Sequence, residues 1–483
     1  MTENELYSLT PEEILQRVAA EGREPTEEEK KVITANDYDI TNRAREIIGE
    51  PITDYQPMNW ELMHHTGNTP IYITEGRLNC LAFEALGIDC AEWREGLHDA
   101  FIQDLDGMKP SRPLIIALSR DASGDNAQKL YRALQRLQIE CYSINPYKNS
   151  RNAAEAITAD PEGFRAEALQ ILTDPRAAQH RQRSAGGYID SFIEEIRSSR
   201  NDPPISTGFN SLDRLLCGGL RPGLLVIMSP SNTGKSALVL QLSDQIAQYS
   251  KKDILYVSLE MSRSEHMARS ISRLTYREAI RQNKQKLARS ALEITDGHQY
   301  SRYDEEQQQA INTAVDRYRE YAGHLFFMCG SQITVKQIEQ AVYAHRQITG
   351  AAPVVVVDYL QLLSPEDPRA DQRSNTDKNV SALVNIAKAQ RTPVIAISSV
   401  SRMSYTGGLM MSSAKESGAI EYSADQLLAY QYKDQSNSTD IDAERARYPR
   451  QMELKMLKSR NSAGFGKVYL NYRPAYNLFT EME

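Results

Sequence analysis

The chain has 483 residues, 41% of them apolar and 25% charged, with a net charge of −8. That length allows two or three domains and that apolar share allows sizeable cores, which excludes a disordered or fibrous chain. The acidic balance excludes a uniformly basic coat protein, so a nucleic-acid binder of this charge must concentrate its cations locally, as in a channel. Five scattered cysteines (Cys80, Cys90, Cys141, Cys217, Cys329) form no C-x-x-C pair, which argues against a zinc ribbon or a disulfide framework. No signal peptide is recognisable and no apolar run approaches the roughly 18 residues of a membrane span, so the expected location is the cytoplasm, without a membrane partner.

Residues 1–65 are polar and charged, with helical stretches such as "TPEEILQRVAAEG", where Thr10 is an N-cap candidate and Glu13 completes a capping box. This helical segment is expected to be a cap or adaptor, with a solvated arm as the alternative. Residues 66–160 alternate strand-like and helix-like segments: "TPIYITEG", "LNCLAFEALG", "RPLIIALSRD", "GDNAQKLYRALQRLQ" and "IECYSINP". That alternation predicts a small parallel α/β domain. Residues 161–204 read as a helical linker, in which "GGYIDSFIEEIRSSR" places Ile189, Phe192, Ile193 and Ile196 on one face. Such a stripe must be buried, against its own chain or against a neighbouring subunit. From 205 to 483 the strands recur: "LLVIM", "DILYVSLE", "HLFFMCG", "PVVVVDYLQL", "PVIAISSV", "DQLLAYQ", "MELKMLKSR" and "GKVYLNY". Helical segments separate the first five, which predicts a doubly wound core with an antiparallel tail.

The strand "LLVIM" runs into "SPSNTGKSA" at 229–237, and "SALVLQLSDQIAQYS" then shows helical spacing. Strand, loop and helix in that order make a phosphate cradle of inward N–H groups at a helix N-terminus. Ser231, Asn232, Thr233 and Gly234 form the loop, Lys235 can reach the β- and γ-phosphates of ATP, and the Ser236 hydroxyl can ligate Mg²⁺. Ser229 stands where the usual pattern has its first glycine. Hydrolysis also needs a carboxylate near the metal and a group to orient water. Asp358 ends "PVVVVD" and Glu260 ends "ILYVSLE", at the strand ends where such carboxylates are needed.

"STGFNSLDRLLCGGLRPG", "SLEM" (258–261), "DYLQL" (358–362), "SR" (401–402), "KESGAIEYSAD" (415–425) and "KSRNSAGFG" (458–466) occur in one order. In that order, over residues 205–483, the chain resembles DnaB-type replicative helicases, whose phosphate loop often lacks the first glycine. The resemblance implies a RecA-like P-loop ATPase core in a homo-hexamer, with ATP between subunits and single-stranded or forked DNA as substrate. By position it implies that Lys235 and Ser236 hold phosphate and Mg²⁺, that Asp358 supports the metal and that Glu260 activates water. Lys458 and Arg460 would enter the neighbour's site as piston and arginine finger. Lys415, Glu416 and Gly418 match the DNA-contacting loop. The family usually has glutamine where this chain has Ser399, relating γ-phosphate to the DNA loops; the expectation is either weaker coupling or substitution by a water or by Arg402, itself a DNA-contact candidate. The basic residues Arg445, Arg447, Arg450, Lys455, Lys467 and Arg473 suit a subunit interface or DNA channel, with a solvated basic face as the alternative.

"IYITEGRLNCLAFEALG" with "LIIALSRDASGDNAQKL" resembles a Toprim domain, whose carboxylates hold Mg²⁺ for phosphoryl transfer. Glu75 and Asp121 match the family's metal residues, with Asp125 as a partial substitute. Ser119, Asn79 and Ser150 stand where acids are common, and no zinc-module ligands are present. The expected domain is a relic that has kept its fold and lost most of its chemistry, primer synthesis included; the arrangement resembles phage primase-helicases and the mitochondrial replicative helicase. A separate primase or a helicase loader is then an expected partner. Competing classes are a RecA-like recombination ATPase without unwinding, and a Toprim-bearing nucleic-acid binding or nuclease module in which ATP switches assembly. "SLEM" and "KESGAIEYSAD" speak against the first, Ser119 against the second.

Overall fold

The chain forms two units, Met1–Pro203 and Pro204–Glu483. The computed structural model describes residues 3–21, 23–48, 57–119, 124–148, 150–199, 203–365, 372–400, 408–414, 418–460 and 465–482. In the first unit the strands β1 (Ile71–Glu75), β2 (Cys90–Trp93), β3 (Leu114–Ile116) and β4 (Cys141–Ser143) form a parallel sheet in the order β2-β1-β3-β4. Its helices are α1 (Pro11–Ala20), α2 (Glu27–Ile48), α3 (Arg77–Ala85), α4 (His98–Met108), α5 (Gly124–Arg136), α6 (Ala153–Ala159), α7 (Pro161–Thr173), α8 (Pro175–Gln182) and α9 (Ala185–Ser199). Tyr72 and Ile115 face one side of the sheet, with Phe83, Ile157 and Phe164. Ile71, Ile73, Leu114 and Ile116 face the other, with Phe101, Leu105 and Leu130. Both faces are covered, as parallel strands require.

Residues from three of the segments distinguished in the sequence share one core, in which Leu6, Ile14 and Val32 pack with Phe83, Phe164 and Ala178. Asp39 of α2 accepts the N–H groups of Arg77 (3.0 Å) and Leu78 (3.1 Å), capping α3 from a distance and tying the N-terminal helices to the sheet. The sequence pattern leaves β2 and α4 unassigned. The reason lies in Glu92, a buried charge inside a strand, held by Arg94 (2.6 Å) and the Met58 N–H (3.1 Å). On α9, Ile189, Phe192, Ile193 and Ile196 are 41–54% exposed.

The second unit carries nine strands: β5 (Gly223–Ser229), β6 (Ile254–Ser258), β7 (Leu325–Cys329), β8 (Val354–Asp358), β9 (Pro393–Ser399), β10 (Gln426–Tyr432), β11 (Arg450–Ser459), β12 (Lys467–Arg473) and β13 (Leu478–Glu481). Their order is β13-β12-β11-β10-β5-β9-β8-β6-β7, parallel from β10 to β7 and antiparallel from β10 to β13. The helices are α10 (Asn210–Leu215), α11 (Lys235–Gln245), α12 (Arg263–Arg281), α13 (Ala291–Thr295), α14 (Gly297–Tyr300), α15 (Glu305–Ala322), α16 (Val335–Thr349), α17 (Gln372–Ala389), α18 (Gly418–Ser423) and α19 (Ile441–Ala446). Leu225, Ile227, Tyr256, Val356 and Ile395 pack under α11, α12 and α15. Leu224, Val226, Val257, Val355 and Val394 pack under α16 and α17. This is the expected α/β core, doubly wound with an antiparallel tail; β13 extends that tail beyond what the sequence pattern shows. Among the described residues, no helix is long and apolar enough to cross a membrane.

One buried ion pair joins three elements of this unit. Arg273 of α12 donates to Asp244 of α11 (2.5 Å) and to the Asn477 carbonyl before β13 (3.0 Å), with both side chains almost fully buried. Burial pushes the Asp244 carboxyl above its usual range, and the Arg273 charge opposes that. Removing the cation strands the acid, so Arg273→Ala should cost about 3–5 kcal/mol in urea unfolding. The paired Asp244→Asn, Arg273→Met variant should lose less than the sum of the single changes. A single-variant loss below about 1 kcal/mol would show that the pair is dispensable.

Candidate active site

Parallel pairing in register brings the C-terminal ends of β5, β9, β8 and β6 to one edge, with Ser229 beside Ser399 and Asp358 beside Ser258. The loop after β5 sits at this edge and leads into α11. Gly234 has φ +96°. A Cβ there would lie 2.5 Å from Tyr472 Cε1. That ring cannot retreat, because it stacks on Phe479 with centroids 4.2 Å apart. Glycine is therefore required twice, by conformation and by space. Ser229 is fully buried, and its hydroxyl pairs with Thr233 Oγ1 at 2.6 Å. Thr233 Oγ1 donates to the Pro230 carbonyl (2.9 Å), and the Thr233 carbonyl accepts from the Tyr430 hydroxyl (2.9 Å). Ser231 and Asn232 are exposed at the tip. Lys235 Nζ lies over the Tyr359 ring, 5.5 Å from its centroid.

Ser236, in the first turn of α11, donates to Asp358 Oδ1 (3.2 Å), and the Tyr256 hydroxyl donates to Oδ2 (3.0 Å). Burial raises the Asp358 carboxyl, while those two hydrogen bonds and the Lys235 charge pull it down. A buried carboxylate beside a serine hydroxyl is a fitting pair of hard oxygen donors for Mg²⁺. Among the described residues no cluster of three or more His, Cys, Asp or Glu forms a metal cage. The pair therefore suits a cation whose remaining ligands are phosphate and water, as Mg²⁺ on a nucleotide has.

Glu260 is exposed just past β6. Its charge contributes to raising the Tyr359 phenol, after burial, and to raising Asp358, so the acid stands within electrostatic reach of both. The turn that carries it is built by Ser258. The Ser258 hydroxyl donates to the Met261 carbonyl (2.7 Å) and accepts from the Met261 N–H (3.2 Å). His266 Nε2 lies 2.8 Å from the same hydroxyl. With the serine proton committed to Met261, Nε2 is the donor, and the ring is the neutral tautomer with Nδ1 buried and unpaired. Burial and the nearby Arg269 charge lower the His266 pKa to about 4.

Other expected site residues lie apart from this group. Lys458 and Ser459 pair with Leu427 and Gln426, and Gln426 pairs with Leu225 near the start of β5. Leu427 pairs with Val226, so Lys458 stands level with the middle of β5, roughly 10 Å along the strand from Ser229, and Arg460, two residues further, roughly 16 Å from it. Arg402, Lys415 and Glu416 lie outside the described residues; Gly418 opens α18. Several of the basic tail residues are neutralised at short range: Arg445 by Asp442 (3.2 Å), Arg447 by Glu444 (3.2 Å) and Lys467 by Asp434 (2.8 Å) and Glu453 (3.0 Å). In the first unit, Glu75 ends β1. Asn79 donates to the Glu75 carbonyl (2.7 Å) and accepts from the Ala154 N–H (3.1 Å), so it binds α3 to α6. Asp121 lies outside the described residues, as does the side chain of Asp125.

Sequence reasoning did not single out Tyr256, Tyr359, His266, Tyr472 or Gln361. The Gln361 amide donates to Ser398 Oγ (2.9 Å) and the Ser399 carbonyl (3.2 Å) and accepts from the Ser399 N–H (3.3 Å). A glutamine from β8's end thus occupies the end of β9, where residue 399 itself is short. Its signal is its place in "DYLQL", three residues after Asp358. Tyr472 had none, being a strand residue far along the chain.

Residues 204–481, more than half the chain, match the family model described as the DnaB-like helicase C terminal domain. Among curated proteins the chain is 27% identical to the replicative DNA helicase DnaC of Bacillus subtilis (strain 168) over 296 residues, 60% of each chain. It is also 27% identical to the replicative DNA helicase DnaB of Geobacillus stearothermophilus over 283 residues, 58% of this chain and 57% of that one. The chain thus spans about 60% of the length of the curated relatives it matches. Among solved structures, a DnaB-like replicative helicase described with its primase interactions has a TM-score of 0.52 at 18% identity, covering 93% of this chain and all of that one. A solved ATPase domain has a TM-score of 0.50 at 22% identity, covering 62% of this chain and 99% of that one. Both are likenesses of fold.

The His266 geometry gives a stability prediction. The unfolded chain takes up the proton near pH 6.5 and the folded chain only near pH 4. Stability from this site is therefore complete above the ordinary histidine range and falls as pH drops through it, by up to about 3 kcal/mol near pH 4. Thermal unfolding between pH 7 and pH 4 should show that slope, and His266→Gln should flatten it. An equal slope in the variant would place the proton uptake elsewhere.

Proposed function

Because the chain belongs to the DnaB-like helicase family, we propose that it is an ATP-driven, ring-shaped DNA helicase that translocates on single-stranded DNA during replication. The observation that carries this reading is the division of cations. Lys235, Ser236 and Asp358 gather at one end of β5, while Arg460 stands level with its start and Lys458 with its middle, both held on carbonyls of α18. A site with one cation at the loop and two held away from it is completed by a second copy that supplies them, and six such copies close the proposed ring.

In this mechanism Lys235 and the loop N–H groups of Ser231 to Gly234 hold the phosphates of ATP. Ser236 and Asp358 hold Mg²⁺, which when bound neutralises charge on the β- and γ-oxygens. Glu260 orients the attacking water and takes its proton. The neighbour's Lys458 and Arg460 neutralise the charge that develops on the transferred phosphoryl group. Arg402, Lys415, Glu416 and Gly418 contact the single strand. Gln361, braced on Ser399, takes over part of the role that a longer side chain there would have. The recombination-type ATPase is the less favoured alternative, given the family match.

The chain divides into 1–65, 66–160, 161–204 and 205–483, and the segment 66–160 of the first unit is a Toprim-like scaffold with at most Glu75, Asp121 and Asp125 as metal residues. Primer synthesis then falls to a separate primase, a partner suggested by the DnaB-like helicase structure described with its primase interactions; a loader is a second candidate, and the cytoplasm is the working compartment. Strand displacement on forked DNA with ATP, absent with a non-hydrolysable analogue, tests the whole reading. The same reactions with labelled ribonucleotides should yield no primer.

The shared site predicts complementation. Lys235→Ala should abolish hydrolysis, Glu260→Gln should bind nucleotide without turnover, and Arg460→Ala should lower turnover by about 10³-fold or more while still binding. Mixed rings of Lys235→Ala and Arg460→Ala chains should regain activity, because some interfaces receive both intact halves. Mixing that restores nothing would place Arg460 in its own subunit's site. The exposed stripe of α9 predicts a second contact between copies. Phe192→Asp with Ile196→Asp would bury charge in the groove that receives the helix, so the mass from light scattering should fall from hexamer toward monomer. A surviving hexamer would place the stripe against its own chain.

A further inference from the structure

Lys458 and Arg460 are engaged within their own chain. Lys458 Nζ donates to the carbonyls of Glu421 (2.7 Å) and Tyr422 (3.0 Å). Arg460 donates through one guanidinium nitrogen to the Tyr422 carbonyl (2.5 Å) and through another to Asp425 Oδ1 (3.3 Å). These carbonyls close the last turn of α18, whose final C=O groups have no partners inside the helix. Cations are the natural ligands there, since they also face the negative end of the helix dipole. A bulge between Leu427 and Leu428 of β10 resets the register of β11 just before Lys458. Asp425 is fixed from the other side, because its Oδ2 accepts the Leu224 N–H (2.9 Å) at the start of β5 and its carbonyl accepts the Arg460 N–H (2.9 Å). The opposite end of α18 begins at Gly418, and the Ala419 N–H there donates to Asp377 of α17 (3.3 Å).

A single short helix therefore has the residue matched to the DNA-contacting loop at its start and both trans-acting cations on its last carbonyls. We propose that α18 is a latch that holds Lys458 and Arg460 on their own chain, and that DNA engaged at the start of α18 shifts the helix and releases both cations to the neighbour's nucleotide. The inference rests on the helicase reading above and adds to it the part that turns DNA contact into catalysis. Asp425 is the positioning residue of this device, acting through Arg460 and touching no nucleotide. All the contacts are at or near the surface, so the hold is a bias rather than a lock.

The test measures ATP turnover of the intact ring with and without oligo(dT). Asp425→Asn keeps an acceptor for the Leu224 N–H and removes the charge that faces Arg460. It should raise the DNA-independent kcat about two- to fivefold, leave KM for ATP and the DNA-saturated kcat unchanged, and lower the stimulation ratio by the same factor. A loss of both rates, or an unchanged ratio in a DNA-stimulated protein, would overturn the latch and leave the helicase reading standing. A wild-type ATPase that ignores single-stranded DNA would overturn the helicase reading itself. If Asp425→Asn does not fold, Asp377→Ala carries the comparison, because it removes the acceptor of the Ala419 N–H and so loosens the start of α18 without touching either cation. The same rise in the DNA-independent rate is expected, and its absence would overturn the proposal.

Discussion

A β-strand holds its two ends apart. The length of β5 and β10 keeps the phosphate loop at one edge of the second unit and Arg460 near the other, with the pairing of Leu225 to Gln426 and of Gln426 to Ser459 fixing the interval. No rotamer change closes that gap. Everything proposed for the assembly follows from it: a site divided between copies, cations that must be stored somewhere when no neighbour uses them, and a helix whose orphan carbonyls are the nearest store. On the proposed reading, the central sheet is the spacer that makes catalysis depend on assembly.

The chemistry at the loop edge is built from polar groups held by hydroxyls and an aromatic ring. Asp358 is shielded by two hydroxyls rather than by a cation, and burial favours its protonated form. Lys235 rests on an aromatic face instead of a carboxylate. Among the described residues, neither group is locked in an internal ion pair that a nucleotide would have to break. The turn bearing Glu260 is held by a neutral imidazole and a serine, which fixes its backbone and leaves the acid itself in solvent. Rigid main chain under uncommitted side chains is the condition for electrostatic preorganisation.

Most of the sheet was legible in the sequence, because runs such as Val354–Asp358 and Leu224–Met228 are continuous apolar segments that only a doubly buried strand explains. The loop was legible because its residues are adjacent in the chain. What stayed hidden depends on tertiary register. Tyr472 matters because it lies beneath Gly234, and Tyr256 because β6 and β8 align Ser258 with Asp358. Strand β2 was missed since Glu92 breaks its pattern and Arg94 repairs it only in the folded chain. Lys458 and Arg460 were legible as a motif, but their hold on α18 was not, because backbone carbonyls leave no mark in a sequence.

The serine at 229 changes how the cradle meets its ligand. A glycine there would leave the loop free to sample many shapes, and the nucleotide would have to freeze them on arrival. Here the bond between Ser229 and Thr233, under the Tyr430 hydroxyl, fixes the chain across the loop before any phosphate is present. The loss of backbone freedom is moved from the binding step to the folding step. On the proposed reading, binding would then carry a smaller entropic penalty, and the loop would release product and take up fresh nucleotide through a nearly unchanged shape, leaving the larger motions of each cycle to the elements around it.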